Sequence, residues 1–142
     1  MQVKARYLDK SKFEVTARQH RLICDQPGSD GSPDAGMSPP ELLLASLAAC
    51  AGYYAAQYLK ARGLPGEGLA VDVTAEKALQ PARLASFRVV VTVPGVEPRH
   101  QTGILRSVAT CLIHKTLLRA PQIDIVVDTP VRALASTFAS LP

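Results

Sequence analysis

The stretch Ser38-Pro-Pro-Glu-Leu-Leu-Leu-Ala-Ser-Leu-Ala-Ala-Cys50 decides how the rest of the chain is read. Ser38 suits a helix cap, Pro39 the first helical position, and Glu41, three residues on, the reciprocal place in a capping box. From Leu42 to Leu59 no charged residue follows. A surface helix keeps one polar face, so a helix that is apolar all round is buried on most sides. The pattern predicts a helix from Pro39 to Arg62, stopped at Gly63 with Pro65 just beyond. At its standard rise it is about 35 Å long, enough to cross a small domain. Lys60 and Arg62 suit the negative end of its dipole. One thiol, Cys50, lies within it.

Working outward, the residues before this helix alternate with period two. Residues 2–8 and 12–17 read as a hairpin about Asp9-Lys10-Ser11, and His20 to Asp25 as a third strand. Gln26 to Ser38, with Gly28, Gly31, Gly36, Pro27 and Pro33, is a long loop of the kind that is usually functional or mobile. After the helix, Leu69 to Lys77 alternates Val71, Val73 and Ala75 inward with Asp72, Thr74 and Glu76 outward. Arg83 to Val93 forms a second strand, with Pro81 marking the turn. A second long helix is expected over 98–119, its apolar stripe of Ile104, Val108, Cys111 and Leu112 ended by Ala120-Pro121. Gln122 to Asp128 alternates as a last strand, and the tail from Pro130 reads as a short helix. The order βββ-α-ββ-α-β means α+β with antiparallel sheets, rather than a doubly wound parallel fold.

Length and composition bound the function. The 142 residues make one domain with a real core, residues 129–142 being a tail. A hydrophobic fraction of 47% and a charged fraction of 20% are those of a soluble globular protein. The apolar run contains Ser, Gly and Gln and is Ala-rich, so a buried core helix is preferred to a membrane span. The N-terminus lacks the apolar centre of a signal peptide, which makes the cytoplasm the default location. The net charge of +4 comes from scattered basic pairs, with 5% aromatics and no Trp, which argues against nucleic-acid binding.

The chemistry-bearing residues are few. Cys50 and Cys111 each lie on the apolar surface of a predicted helix, where a lone cysteine is usually a small hydrophobe. Both helices must pack in so small a domain, and Ala48, Ala49, Ala51 and Gly52 permit close approach. Such a crossing can bring Cα atoms within the about 4.4–6.8 Å a disulfide needs. A redox pair and two inert core cysteines both remain open at this point. Cys50 lies too far along its helix to feel the dipole, so a guanidinium would have to lower its pKa. Arg18 and Arg21 are the candidates by chain order. Cys111-Leu-Ile-His114 puts an imidazole near a thiol, but no fourth ligand and no CxxC support zinc. His20 and His100 read as surface residues and Cys24 as packing.

Asp25-Gln-Pro, the Gly-rich loop, the Ser38–Cys50 stretch and Cys111-Leu-Ile-His-Lys-Thr-Leu together resemble the OsmC/Ohr family of bacterial thiol peroxidases. The resemblance covers nearly the whole chain up to about Asp128. It implies an intertwined homodimer whose long helices pack against each other and whose sheets combine strands of both chains. It implies that Cys50 attacks an organic hydroperoxide and becomes a sulfenic acid, and that Cys111 resolves it to a disulfide. A cellular dithiol, lipoyl-type in the best understood members, would restore both thiols, with no metal or cofactor. Tyr53 and Tyr54 are placed either in an apolar pocket or in dimer packing. Family peroxidases carry an acidic residue where this chain has Pro40, with Glu41 following, and an arginine that falls on Arg18. The second functional expectation is a dimeric binding protein for an apolar small molecule, without peroxidase activity.

Overall fold

In the computed structural model, residues 1–26, 28 and 31–129 are described. Strands β1 (Lys4–Asp9), β2 (Lys12–Ala17) and β3 (His20–Cys24) form an antiparallel meander in the order β1-β2-β3. Helix α1 (Pro39–Lys60) follows, then an antiparallel hairpin of β4 (Ala70–Leu79) and β5 (Ala82–Thr92). A 3₁₀ turn (Pro98–His100) leads into α2 (Gln101–Val108) and α3 (Leu112–Leu118). The class is α+β, as the grouping of strands and helices requires.

Local chemistry sets the ends of α1. The Glu41 carboxylate accepts from both the backbone N–H and the hydroxyl of Ser38, each at 2.7 Å. The backbone bond first, and then the hydroxyl, hold its carboxyl below the ordinary glutamate value. At the other end Gly63 takes a φ of 62° while Leu64 N–H returns to the Leu59 carbonyl at 3.0 Å. That left-handed position costs glycine no steric penalty, so the helix stops there.

The β4–β5 hairpin shows its alternation in burial. Val71, Val73 and Ala75 are half-buried while Asp72, Thr74 and Glu76 are exposed. Glu76 pairs with Ser86 but Lys77 with Leu84, so Ala85 is an extra residue and the inward parity of both strands changes there.

Helix α1 packs against β4–β5 on the one hand and α2 and α3 on the other. Ala55, Leu59 and Ile104 form the buried centre, with Tyr58, Leu69, Val91 and Val108 packed around it. The close approach between helices is made at Gly103, where any Cβ would run into the Tyr58 ring. The Tyr58 hydroxyl meets His100 Nδ1 at 3.2 Å, and the Arg62 guanidinium lies 3.8 Å over the Tyr58 ring. His100 is therefore half-buried in this contact rather than a surface residue. Gly52 faces Val71 of β4 instead of another helix.

Two expected elements differ. The helix expected over 98–119 is broken at residues 109–111, for reasons given below. Gln122–Asp128 forms no strand with any described residue, although its composition alternates. Ile123, Ile125, Val126 and Val127 are all more than three-quarters exposed. A strand needs a neighbour to hydrogen-bond, and the segment has none among the described residues. The tail helix expected from Pro130 lies outside the described residues.

The loop before α1 is tied down by Asp25, which is fully buried. Its carboxylate accepts from Ala35 N–H at 2.9 Å, from the Ser32 hydroxyl and from the Ser11 hydroxyl at 3.4 Å. Asp25 N–H donates to the Met37 carbonyl, and at Gly36 a side chain would strike the Ile23 carbonyl. Burial raises the Asp25 pKa, but the bonds from Ala35, Ser32, Gln26 and Ser11 outweigh it and leave the pKa lowered. A carboxyl lowered by folding stabilises the fold above its unfolded pKa. That contribution disappears as pH falls through the folded value, below about 4. Asp25→Asn is expected to lower the melting temperature at neutral pH and to flatten the loss of stability below pH 4. Melting curves between pH 2.5 and 7 check this, and an unchanged acid limb would exclude Asp25 as its source.

Candidate functional site

Cys50 is the twelfth residue of α1, half-buried on its uncharged surface. Cys111 is fully buried, and it is not within a helix at all. It caps α3 with φ −51° and ψ 131°. The chain breaks here because its hydrogen bonds are diverted. Thr110 bonds back to the Ser107 carbonyl through both N–H and hydroxyl, at 3.0 and 2.6 Å. The Ala109 carbonyl, which a continuous helix would offer to a following N–H, faces His114 Nδ1 at 3.3 Å. Ser107 also donates to the Tyr54 carbonyl at 2.9 Å, holding the end of α2 against α1.

This break aims Cys111 at α1. The Cys50 and Cys111 sulfurs are joined in a disulfide, with 5.9 Å between Cα atoms. The separation lies in the range in which two cysteines bridge without moving the backbone. The two cysteines are thus joined to each other rather than packed apart. The Cys111 sulfur also accepts the His114 backbone N–H at 3.5 Å. Cys24 is the remaining cysteine, buried and free.

Beside the disulfide runs a cavity of about 1050 Å³ between α1, β5, α2 and α3. Its walls are mainly apolar, including Leu43 and Leu47 of α1, Val89 and Val91 of β5, and Ile104 and Val108 of α2. Cys111 and His114 open onto it, as do Arg83 and Glu97. Glu97 is already paired with Arg99 at 3.2 Å. Pockets of this size and lining suit a largely apolar small molecule fixed by a few polar groups.

The other expected site residues lie elsewhere. Arg18 occupies the β2–β3 turn with a φ of 55° and is exposed, with no hydrogen bond or ion pair to a described residue. Arg21 pairs with Glu14 at 3.6 Å. Tyr53 and Tyr54 stack edge to face at 5.4 Å, and neither lines the cavity. Arg83, on the cavity wall, carries no sequence signal of its own for this place, because it sits at the start of a strand far from both cysteines in chain order. Its neighbour Pro81, which marks the hairpin tip, is the only local signal of its position. Among the described residues no three His, Cys, Asp or Glu side chains gather to hold a metal ion.

A family model described as OsmC-like protein matches residues 29–126. No curated protein matches the sequence. Among solved structures, a Psychrobacter arcticus 273-4 protein assigned to osmotic stress and detoxification responses is 21% identical, with a TM-score of 0.72 over 80% of this chain and 85% of that one. An OsmC-like protein from Mycoplasma pneumoniae is 19% identical, with a TM-score of 0.67 over 84% and 87%. The organic hydroperoxide resistance protein OhrB of Bacillus subtilis is 18% identical, with a TM-score of 0.54 over 84% and 90%. At these identities the likeness is one of fold.

The thiol inventory is directly measurable. Thiol titration of the denatured, oxidised chain is expected to give one free thiol, from Cys24, and three after reduction. Cys111→Ser is expected to leave Cys50 free under the same oxidising conditions. Three free thiols in the air-oxidised protein would contradict the pairing.

Proposed function

The chain belongs to the OsmC-like protein family, and from that premise we propose that it is a cysteine-based peroxidase reducing organic hydroperoxides in oxidative stress defence. The observation that carries the reading is the Cys50–Cys111 bridge beside an apolar cavity. An apolar cavity favours an organic hydroperoxide over hydrogen peroxide, and OhrB of Bacillus subtilis is named for resistance to such compounds. In the proposed cycle the Cys50 thiolate attacks a peroxide oxygen, and the O–O bond breaks. The alkoxide leaves and takes a proton to become the alcohol, while Cys50 becomes a sulfenic acid. The Cys111 thiol then condenses with it, forming the disulfide and releasing water. A dithiol, lipoyl-type by analogy with the family, reduces the bridge by two successive exchanges. Such a cycle belongs in a reducing compartment, and the cytoplasm is the proposed location.

Glu41 plays no part in this proposal, since Ser38 already occupies its carboxylate. The activating guanidinium is assigned to Arg18 only through a second copy of the chain, because within one chain Arg18 lies in an exposed turn. A second copy is proposed on independent grounds. Of the 22 residues of α1 only Leu47, Ala51, Ala55 and Leu59 are buried. Tyr53 on α1, Tyr7 and Phe13 on the meander, and the 122–128 segment all present apolar side chains to water. An intertwined homodimer would cover these surfaces and give 122–128 a strand to pair with.

Two outcomes are expected. Stoichiometric cumene hydroperoxide should consume Cys50 and Cys111 thiols in the reduced protein, and Cys50→Ser should abolish turnover. If both thiols survive peroxide, the peroxidase reading is wrong, and retained binding of an apolar ligand by Cys50→Ser would favour the binding-protein alternative. Sedimentation equilibrium should give twice the 15.1 kDa chain mass. A stable species at the single-chain mass would remove the second copy and with it the role of Arg18.

A further inference from the structure

His114 has no part in the cycle above, yet it stands beside Cys111. Its backbone N–H donates to the Cys111 sulfur at 3.5 Å, and both residues line the same cavity. The ring's tautomer follows from its partner. Nδ1 lies 3.3 Å from the Ala109 carbonyl, which can only accept, so Nδ1 carries the hydrogen. In the neutral ring Nε2 is then left as a proton acceptor, and it can gain or lose a proton without breaking the bond to Ala109.

The chemistry of the site calls for such a group. Cys111 is fully buried, and apolar surroundings disfavour a thiolate. The resolving step nevertheless needs its proton removed and a proton delivered to the departing hydroxide. The charged groups on the cavity wall do not serve. Arg83 from β5 offers donors and no acceptor, and Glu97 is engaged by Arg99. From α1 the wall receives Leu43, Leu47 and Ala51, none of which titrates. Lys115, next along α3, is exposed and is not on that wall.

The geometry points to His114 as the proton carrier of the resolving half of the cycle, an assignment that rests on the peroxidase reading. Nε2 takes the Cys111 thiol proton, the Cys111 sulfur attacks the Cys50 sulfur, and the S–O bond of the sulfenic acid breaks. The leaving hydroxide receives the proton from Nε2 and departs as water. On reduction the order reverses. Nε2 takes a proton from the incoming dithiol, whose sulfur attacks the half-buried Cys50 sulfur. The S–S bond breaks, and the Cys111 thiolate receives the proton.

The test compares wild type with His114→Gln, both pre-reduced and exposed to one equivalent of cumene hydroperoxide in the presence of dimedone. Cys50 sulfenic acid is read as its dimedone adduct by mass spectrometry, and disulfide by loss of free thiol. At pH 6.5 the variant is expected to close the disulfide on the order of 100-fold more slowly, with the adduct accumulating instead. As pH rises, hydroxide in solution can take over the deprotonation of Cys111, and the deficit should shrink to a few-fold. A purely structural role would leave a deficit that is the same at every pH, and that result overturns the assignment, as does wild-type closure at pH 6.5. His114→Asn, shorter by one methylene, serves as the second variant should His114→Gln fail to fold, and the same outcomes apply to it. If wild type itself yields neither adduct nor disulfide, the peroxidase reading falls and the assignment falls with it. A normal wild type beside an unaffected variant overturns only the assignment.

Discussion

Everything in this fold has to be arranged around a 22-residue helix with no charge between Leu42 and Leu59. Such a helix has no face it can leave to water without exposing apolar area, at a cost of about 25 cal/mol for each Å². The β4–β5 hairpin covers one side and the α2–α3 segment another, and the shared centre is Ala55, Leu59 and Ile104. Small residues on α1 let these neighbours come near, with Gly52 against Val71. On the facing side the space is made by Gly103, which admits the Tyr58 ring. The helix is long and apolar enough to pass for a membrane span by composition, but in the structure it serves as the platform on which the other elements pack.

The site is a consequence of an interruption in the second helical segment. Had residues 98–119 formed one continuous helix, Cys111 would sit on its side among aliphatic neighbours. Instead Thr110 turns back on Ser107, His114 takes the Ala109 carbonyl, and Cys111 adopts an extended backbone at the cap of α3. This places its sulfur against Cys50, and opens one edge of the pair onto an apolar cavity. These local contacts break the helix, fix the imidazole tautomer and set the sulfur in place. Local backbone irregularity of this kind commonly collects at functional sites. The OsmC-like fold and the paired cysteines thus agree with each other without either depending on the other.

The surfaces left over are as informative as those buried. The meander packs chiefly on itself, α1 buries four of its residues, and the 122–128 segment shows four large aliphatic side chains to solvent. A proposed second copy accounts for all three with one contact, and it would also bring an arginine to a site that lacks one from the N-terminal region of its own chain. Asp25 meanwhile holds the loop before α1 through donors from Ser11, Ser32 and Ala35, so the start of the helix is set relative to the meander.

The elements whose patterns are local were legible in the residues themselves. The alternation of β1 to β5, the capped start of α1 at Ser38 and Glu41 and its stop at Gly63 all depend on neighbours within a few positions. Cys50 and Cys111 likewise stand out locally, as two thiols on two apolar segments that a small domain can pack together. What the residues could not display was anything requiring a distant partner. The break at 109–111 is written in side-chain bonds from Thr110 and His114 that compete with a perfectly adequate helical stripe. Arg83 reaches the cavity only because a hairpin folds its strand across α1, and His100 is drawn in by Tyr58 from 42 positions away. Gln122–Asp128 has the sequence of a strand and has no pairing partner among the described residues, since a strand is a property of a pair. Periodicity is local and survives in one dimension, whereas the joining of two sulfurs 61 residues apart is decided by packing.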